Sequence, residues 1–222
     1  MNDEGIKKFV VGFTYILNSM MLVTAMILLT MILLTGVDPT KRLTSHIATI
    51  CFTLIPMLIR LLTKGKFNLF LYLYTAVYVF LAVFLGSSLN FYNLYENIHY
   101  DKLIHVFFGY SSALIGLYIL IKTNKLNNSN YIFSLLFIFS FAMMISAVWE
   151  MFEFASDSLF GTFTQGKPQL IIGGGTSTDV GETMFDIIAN FVGAIVFILE
   201  YMLFIKTKKT PIMKFMISEL SK

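Results

Sequence analysis

The sequence predicts an all-α fold, a polytopic transmembrane helical bundle of about six helices. Three observations lead there. The chain is 57% hydrophobic and only 13% charged, whereas soluble domains lie near 45–50% apolar and about 25% charged. Six stretches are long enough to cross a hydrocarbon core of about 30 Å, which takes about 20 apolar residues. The lysines and arginines are shared unequally between alternate connections. The 222 residues suit one bundle with short loops, so 1–222 reads as a single transmembrane domain, with 206–222 as a cytoplasmic tail.

The first span is expected over roughly 9–35. Lys7 and Lys8 before an apolar run imitate a signal peptide, but the run far exceeds the roughly 7–15 residues of a signal core and lacks a small-residue cleavage site. It ends at Gly36-Val37-Asp38-Pro39, a turn signature. The second span, roughly 45–63, is interrupted by Pro56 and Arg60. Lys64-Gly65-Lys66 joins it tightly to the third, roughly 67–88. The fourth and fifth, roughly 101–122 and 131–156, flank a polar run, and the sixth covers roughly 183–205. Two connections are long, 87–100 and 160–182, and the second carries Gly173-Gly174-Gly175. Loops above about 12–15 residues usually serve a function or are disordered. After Pro211, the residues Ile212, Met213, Met216, Ile217 and Leu220 recur at helical spacing, which predicts a short amphipathic helix on the membrane surface.

Orientation follows from charge. The N-terminus, the connections after the second and fourth spans, and the tail hold 12 of the 16 basic residues. The other side holds Lys41, Arg42, Lys102 and Lys167. This bias predicts both termini in the cytoplasm of a multi-pass cell-membrane protein, and it supports an even number of spans. The net charge of +3 is spread beside hydrophobic runs rather than gathered in a patch, which excludes a nucleic-acid partner; the bilayer is the expected one. Cys51 is the only cysteine, so no intrachain disulfide forms.

Ionisable residues in membrane helices are costly, so their positions inform. The fourth span opens with Asp101 and His105, four apart on one face. Near the end of the fifth, Glu150, Glu153 and Asp157 stand at i, i+3 and i+7. The sixth opens with Glu182, Asp186 and Asn190 at i, i+4 and i+8. With the charge-derived topology all three faces fall at the outer-leaflet level, as does His46. Carboxylates gathered in a low dielectric repel one another and need protons, cationic partners or a metal ion. Lys102 is the nearest cation in the sequence, with Lys41 and Arg42 as further candidates. A divalent ion held by His105, Glu150, Glu153 and Asp186 would relieve the excess, and mixed imidazole and carboxylate ligands suit zinc, manganese or iron. Glu200, near the inner end of the last span, is expected to snorkel or to pair with a lysine.

At these residues the chain resembles the YjdF-like bacterial inner-membrane proteins and, more distantly, the VanZ-like membrane proteins. The resemblance rests on Asp101-Lys102-Leu103-Ile104-His105, on Trp149-Glu150-Met151-Phe152-Glu153, and on Asp186-Ile187-Ile188-Ala189-Asn190-Phe191-Val192-Gly193. It covers roughly the C-terminal half. It implies a polytopic bacterial membrane protein with a recurrent acid, histidine and asparagine set. VanZ-like members are associated with glycopeptide resistance, which points to the cell envelope.

Three readings stay open from the residues. One is a metal-dependent membrane hydrolase or transferase acting on a lipid-linked or envelope substrate. There His105, Glu150, Glu153 and Asp186 hold the ion, Asp101 orients His105 or carries a proton, and Asn190 binds substrate or water. A second is an ion or small-solute carrier that uses the same groups as a relay; the apolar inner halves of the fourth and sixth spans speak against it. A third is a polar knot that only fixes helices. No serine or cysteine nucleophile motif is evident.

Overall fold

A computed structural model describes residues 3–38, 42–64, 68–126, 131–160, 164–165, 169–170, 176–177, 180–209, 213 and 217. Long runs rich in Leu, Ile, Phe and Met with few charges give helices whose backbone polar groups are satisfied within the segment, as a bilayer requires. Six are long and apolar enough to cross a membrane: Lys8–Thr35, Leu43–Leu62, Leu71–Ser88, Tyr100–Lys122, Tyr131–Leu159 and Val180–Thr207. The chain divides into two compact units, one running to Asp101 and the other from Lys102 onward.

In the first unit, α1 (Asp3–Thr35) ends where Gly36 turns to φ +67° and gives its N–H to the Ile32 carbonyl at 2.9 Å. A left-handed glycine closes a helix at low cost because no Cβ opposes it. The Asp38 carboxylate then accepts the N–H groups of Arg42 and Leu43, both at 2.9 Å, and so starts α2 (Leu43–Leu62). The buried face of α2 is largely polar, with His46, Thr49 and Thr53 beside Pro56. Thr49 and Thr53 return their hydroxyls to carbonyls four residues back, those of Ser45 and Thr49, at 2.9 and 2.7 Å. Apolar side chains such as Ile55, Leu58 and Leu61 point outward, as a lipid-facing surface demands.

Helix α3 (Leu69–Tyr78) passes without a break into a π-helix, Val79–Ser88, which closes with the Leu89 N–H on the Phe84 carbonyl, five residues back, at 2.8 Å. The wider winding re-aims the end of this span. It brings Ser88 Oγ to 2.5 Å from His46 Nδ1 and the Ser87 carbonyl against the Arg42 guanidinium. Burial pushes the Arg42 guanidinium below its usual pKa, while Asp38 pulls it back up. Leu17, Met21, Ala76, Val79 and Phe84 form the apolar core of the unit, and Asn18 Nδ2 donates to Tyr72 Oη at 2.9 Å. The long connection predicted at 87–100 contains a helical turn, α4 (Phe91–Leu94), and a 3₁₀ turn, Glu96–Ile98. Asn90 and His99 there adopt φ of +71° and +51°.

The second unit holds α5 (Tyr100–Lys122), α6 (Tyr131–Phe160) and α7 (Val180–Thr207). Helices α5 and α7 touch backbone to backbone. A Cβ on Gly109 would lie 2.0 Å from the Asn190 carbonyl oxygen, and one on Gly193 would lie 1.9 Å from that of Val106. Only glycine permits this approach, which is how small residues draw membrane helices together. Phe108 meets Trp149 across α5 and α6, and Phe139 meets Phe191 across α6 and α7. Asp157 is turned to the chain after α6, accepting the N–H groups of Thr164 and Gln165 at 2.8 and 2.9 Å. Gln165 Nε2 donates to Thr183 Oγ1 at 3.0 Å.

Between α6 and α7, β1 (Gln169–Leu170) pairs antiparallel with β2 (Thr176–Ser177). The triple glycine lies outside the described residues. So does most of the predicted tail helix, although Met213 and Ile217 are helical and Met213 is buried.

Candidate metal centre

The opening turns of α5 and α7 run side by side in the second unit because the Gly109 and Gly193 approach lies one turn further along. This fixes His105 of α5 against Asp186 and Asn190 of α7. His105 Nε2 lies 3.4 Å from Asp186 Oδ1 and His105 Nδ1 lies 3.0 Å from Asn190 Nδ2. Helix α6 supplies Glu150, whose Oε1 lies 3.9 Å from His105 Nδ1. Asp186 is 2% exposed and Asn190 0%, so the groups meet away from water.

The division between the units falls inside the first turn of α5, so Asp101 stands on the same continuous helix as His105. Asp101, His105 and Asp186 each offer one ligand atom, and these atoms lie within 4.8 Å of one another. Donor atoms that surround one ion at about 2.0–2.2 Å are separated by roughly 3–4 Å. The trio therefore needs only side-chain adjustment to share a cation.

The amide of Asn190 bears on the imidazole. Its Nδ2 donates, so His105 Nδ1 accepts and the ring proton sits on Nε2, facing Asp186. The other end of the amide, Oδ1, is buried and has no hydrogen-bond partner among the described residues. Rotating the amide by half a turn would let Oδ1 accept from a protonated Nδ1 and leave a lone pair on Nε2. That is the arrangement in which an outer partner orients a metal-binding histidine.

Lys102 supplies the positive charge beside the trio. Its Nζ lies 2.6 Å from Asp186 Oδ1 and 2.5 Å from Glu182 Oε1. Lys102 thus bridges the carboxylates of Glu182 and Asp186, while Glu150 approaches His105.

The residues expected from sequence fall into two groups. Asp101, His105 and Asp186 come together, with Asn190 and Glu150 against His105. Glu150 and Glu153 stand outside the 4.8 Å set among the described residues. Glu153 accepts a hydrogen bond from Trp149 Nε1 on its own helix at 2.8 Å. Glu200, for which the sequence suggests snorkelling or a lysine partner, takes a hydrogen bond from Tyr110 Oη at 2.7 Å. Lys102, the cation that the sequence offers to the cluster, meets Glu182 and Asp186, partners that the sequence leaves open.

Fold and cluster together define a polytopic helical membrane protein with a buried imidazole and carboxylate centre at one end of three helices. The chain belongs to the family of predicted membrane proteins DUF2238, whose model matches residues 18–207. No curated protein matches the chain, and no solved structure does.

Proposed function

We propose that the chain is a membrane-embedded, metal-dependent protein whose divalent ion is held by Asp101, His105 and Asp186, with Glu150 beside His105. The observation that carries this is the mutual approach of three ligand atoms from two helices to within 4.8 Å, with His105 and Asp186 buried and Asp101 half-buried. Zinc, manganese and iron fit this donor set. When bound, the ion would activate a water molecule or polarise a phosphoryl or carbonyl oxygen. The chain's own groups do the rest: Glu150 accepts a proton next to the ring, and Asn190 fixes the His105 tautomer. Asp101, for which the sequence suggests orienting His105 or carrying a proton, joins the ligands in this account.

The charge bias supports an orientation with both termini cytoplasmic and the cluster at the outer face of the cell membrane, where a lipid-linked or envelope molecule would be the natural substrate of a hydrolase or transferase. The YjdF-like and VanZ-like resemblance supports that envelope setting. Element-resolved metal analysis of the purified protein, after reconstitution with zinc, manganese and iron(II) in turn, tests the centre. A stoichiometric ion lost in Asp186→Asn supports it, and absence of all three ions sinks it. Cysteine labelling at positions 95 and 170 tests the orientation, since both should react from outside only.

A structural knot is the second reading, and Lys102 favours it: an ammonium group already neutralises Asp186. A sealed, self-neutralised cluster can brace three helices with no ion. Carrier function has less support. Tyr110 and Glu200 extend polar contact toward the far half of α5 and α7, but no described hydrogen bond links them to the cluster.

A further inference from the structure

We propose that Lys102 is a built-in competitor for the metal site, occupying Asp186 while the site is empty and stepping onto Glu182 when an ion enters; this rests on the metal reading above. Three observations point there. Lys102 Nζ bridges two carboxylates, and one of them is the candidate ligand Asp186 while the other is not. The contact is to Asp186 Oδ1, the same oxygen that faces His105 Nε2, so ammonium and ion seek one lone-pair region. Glu182 lies one turn from Asp186 on α7 and its side chain is 37% exposed against 3% for Asp186. The lysine therefore has a wetter partner to retreat to without losing its countercharge.

The orphaned Asn190 oxygen is independent of these contacts and points to a ligand-bound state. It is the acceptor that His105 requires once Nε2 gives up its proton to Nδ1. Empty and loaded states then differ by two coupled moves. Lys102 leaves Asp186, and the Asn190 amide turns over. In each state no carboxylate of the pair Glu182 and Asp186 is left without a cation nearby. A lysine suits this role better than an arginine because its point charge on a flexible stem shifts between partners without the fixed fork of a guanidinium.

The test is metal affinity of the full-length protein in detergent, read by competition of Zn²⁺ or Mn²⁺ with a chelating dye, with melting temperature as the check on folding. Lys102→Gln removes the competitor and should tighten binding by about tenfold or more, since a like charge next to an ion opposes it. Glu182→Gln takes away the retreat, holds Lys102 on Asp186, and should weaken binding by about tenfold. In the Lys102→Gln background the same Glu182→Gln change should have an effect of only about twofold, from lost long-range charge. Lys102→Arg keeps a competitor and should bind no more tightly than wild type. If the wild type binds metal and Lys102→Gln binds equally or more weakly, the competitor role is overturned while the metal site stands. If neither binds any of the ions, the metal reading itself falls and takes this inference with it.

Discussion

Buried polar side chains of the first unit carry hydroxyl, amide and imidazole groups: Thr14, Asn18, His46, Thr49, Thr53 and Ser88. Those of the second unit include two carboxylates, Glu150 and Asp186, packed with His105 and Asn190. The hydroxyls of Thr14, Thr49 and Thr53 are satisfied by the carbonyls of their own helices, and the remaining contacts are single pairs such as His46 with Ser88. Such groups cost little in a membrane protein and add roughly 0.6–2 kcal/mol per interhelical bond. Ionised carboxylates are different, because each taken from water costs several kcal/mol unless it is paired. Both units hold a buried asparagine whose amide oxygen has no partner among the described residues, Asn18 and Asn190. An orphaned oxygen therefore marks no site by itself. Asn18 faces a tyrosine hydroxyl, whereas Asn190 faces an imidazole that also lies near two carboxylates. Polarity in the first unit joins helices; in the second it concentrates charge that calls for a cation.

The comparison breaks most directly at Asp186. Asp186→Asn keeps the shape of the side chain and removes its charge, so metal content should fall from stoichiometric to background. The loss should exceed the roughly 10–100-fold that removal of an outer-shell partner costs. Lys102 keeps Glu182 as a partner, so the melting temperature should move far less than the metal content. A variant that loses stability yet keeps its metal content would show that Asp186 braces the helices and is not a ligand of the ion.

Gly193→Ala is the next test in size. The added methyl group meets the Val106 carbonyl oxygen, and no flexible side-chain end can give way. Overpacking of this kind costs about 1–3 kcal/mol. Because the same approach fixes His105 against Asn190, thermal stability and metal affinity should fall together. Loss of stability with unchanged affinity would show that the cluster does not depend on the glycine approach.

How far this was legible follows from geometry. The spans were readable because hydropathy and length decide them, and the facing of Asp101 with His105 and of Asp186 with Asn190 follows from a repeat of four. Glu153 was grouped with Glu150 by an i, i+3 spacing, which leaves the two about 60° apart around the helix; the structure gives Glu153 to Trp149. Lys102 follows Asp101 directly and so stands about 100° away from it; only the position of α7 shows what it meets. The π-helical winding over Val79–Ser88 has no sequence periodicity to announce it, so the pairing of His46 with Ser88 was hidden. The glycine approach needed both partners in view, since Gly109 and Gly193 each look ordinary alone.

In the first unit the His46 and Ser88 pair can be tested against that low cost. Ser88→Ala removes one interhelical hydrogen bond and leaves the imidazole with the Ser87 and Arg42 end of the span beside it. The expected loss is about 1 kcal/mol, read as a small drop in melting temperature with no change in metal content. A larger loss would mean that this pair anchors the π-helical segment as well as bridging two helices.

The smallest effect belongs to Thr49→Val, which sharpens the contrast by doing almost nothing. The Thr49 side chain is fully buried, and by burial alone the loss of its hydroxyl would be expected to matter. Its hydrogen bond, however, goes to the Ser45 carbonyl of the same helix, which already serves as a backbone acceptor. Valine fills nearly the same volume with the same branching at Cβ, so packing against the neighbouring helices is kept. The Ser45 carbonyl retains its helical partner, so no polar group is stranded. The expected change is within about 0.5 kcal/mol, measured as melting temperature in detergent. A loss several times larger would show that the Thr49 hydroxyl also serves a group beyond its own helix. The buried face of α2 would then be a functional polar surface like the cluster of the second unit, and the division of labour between the units would fail at that residue.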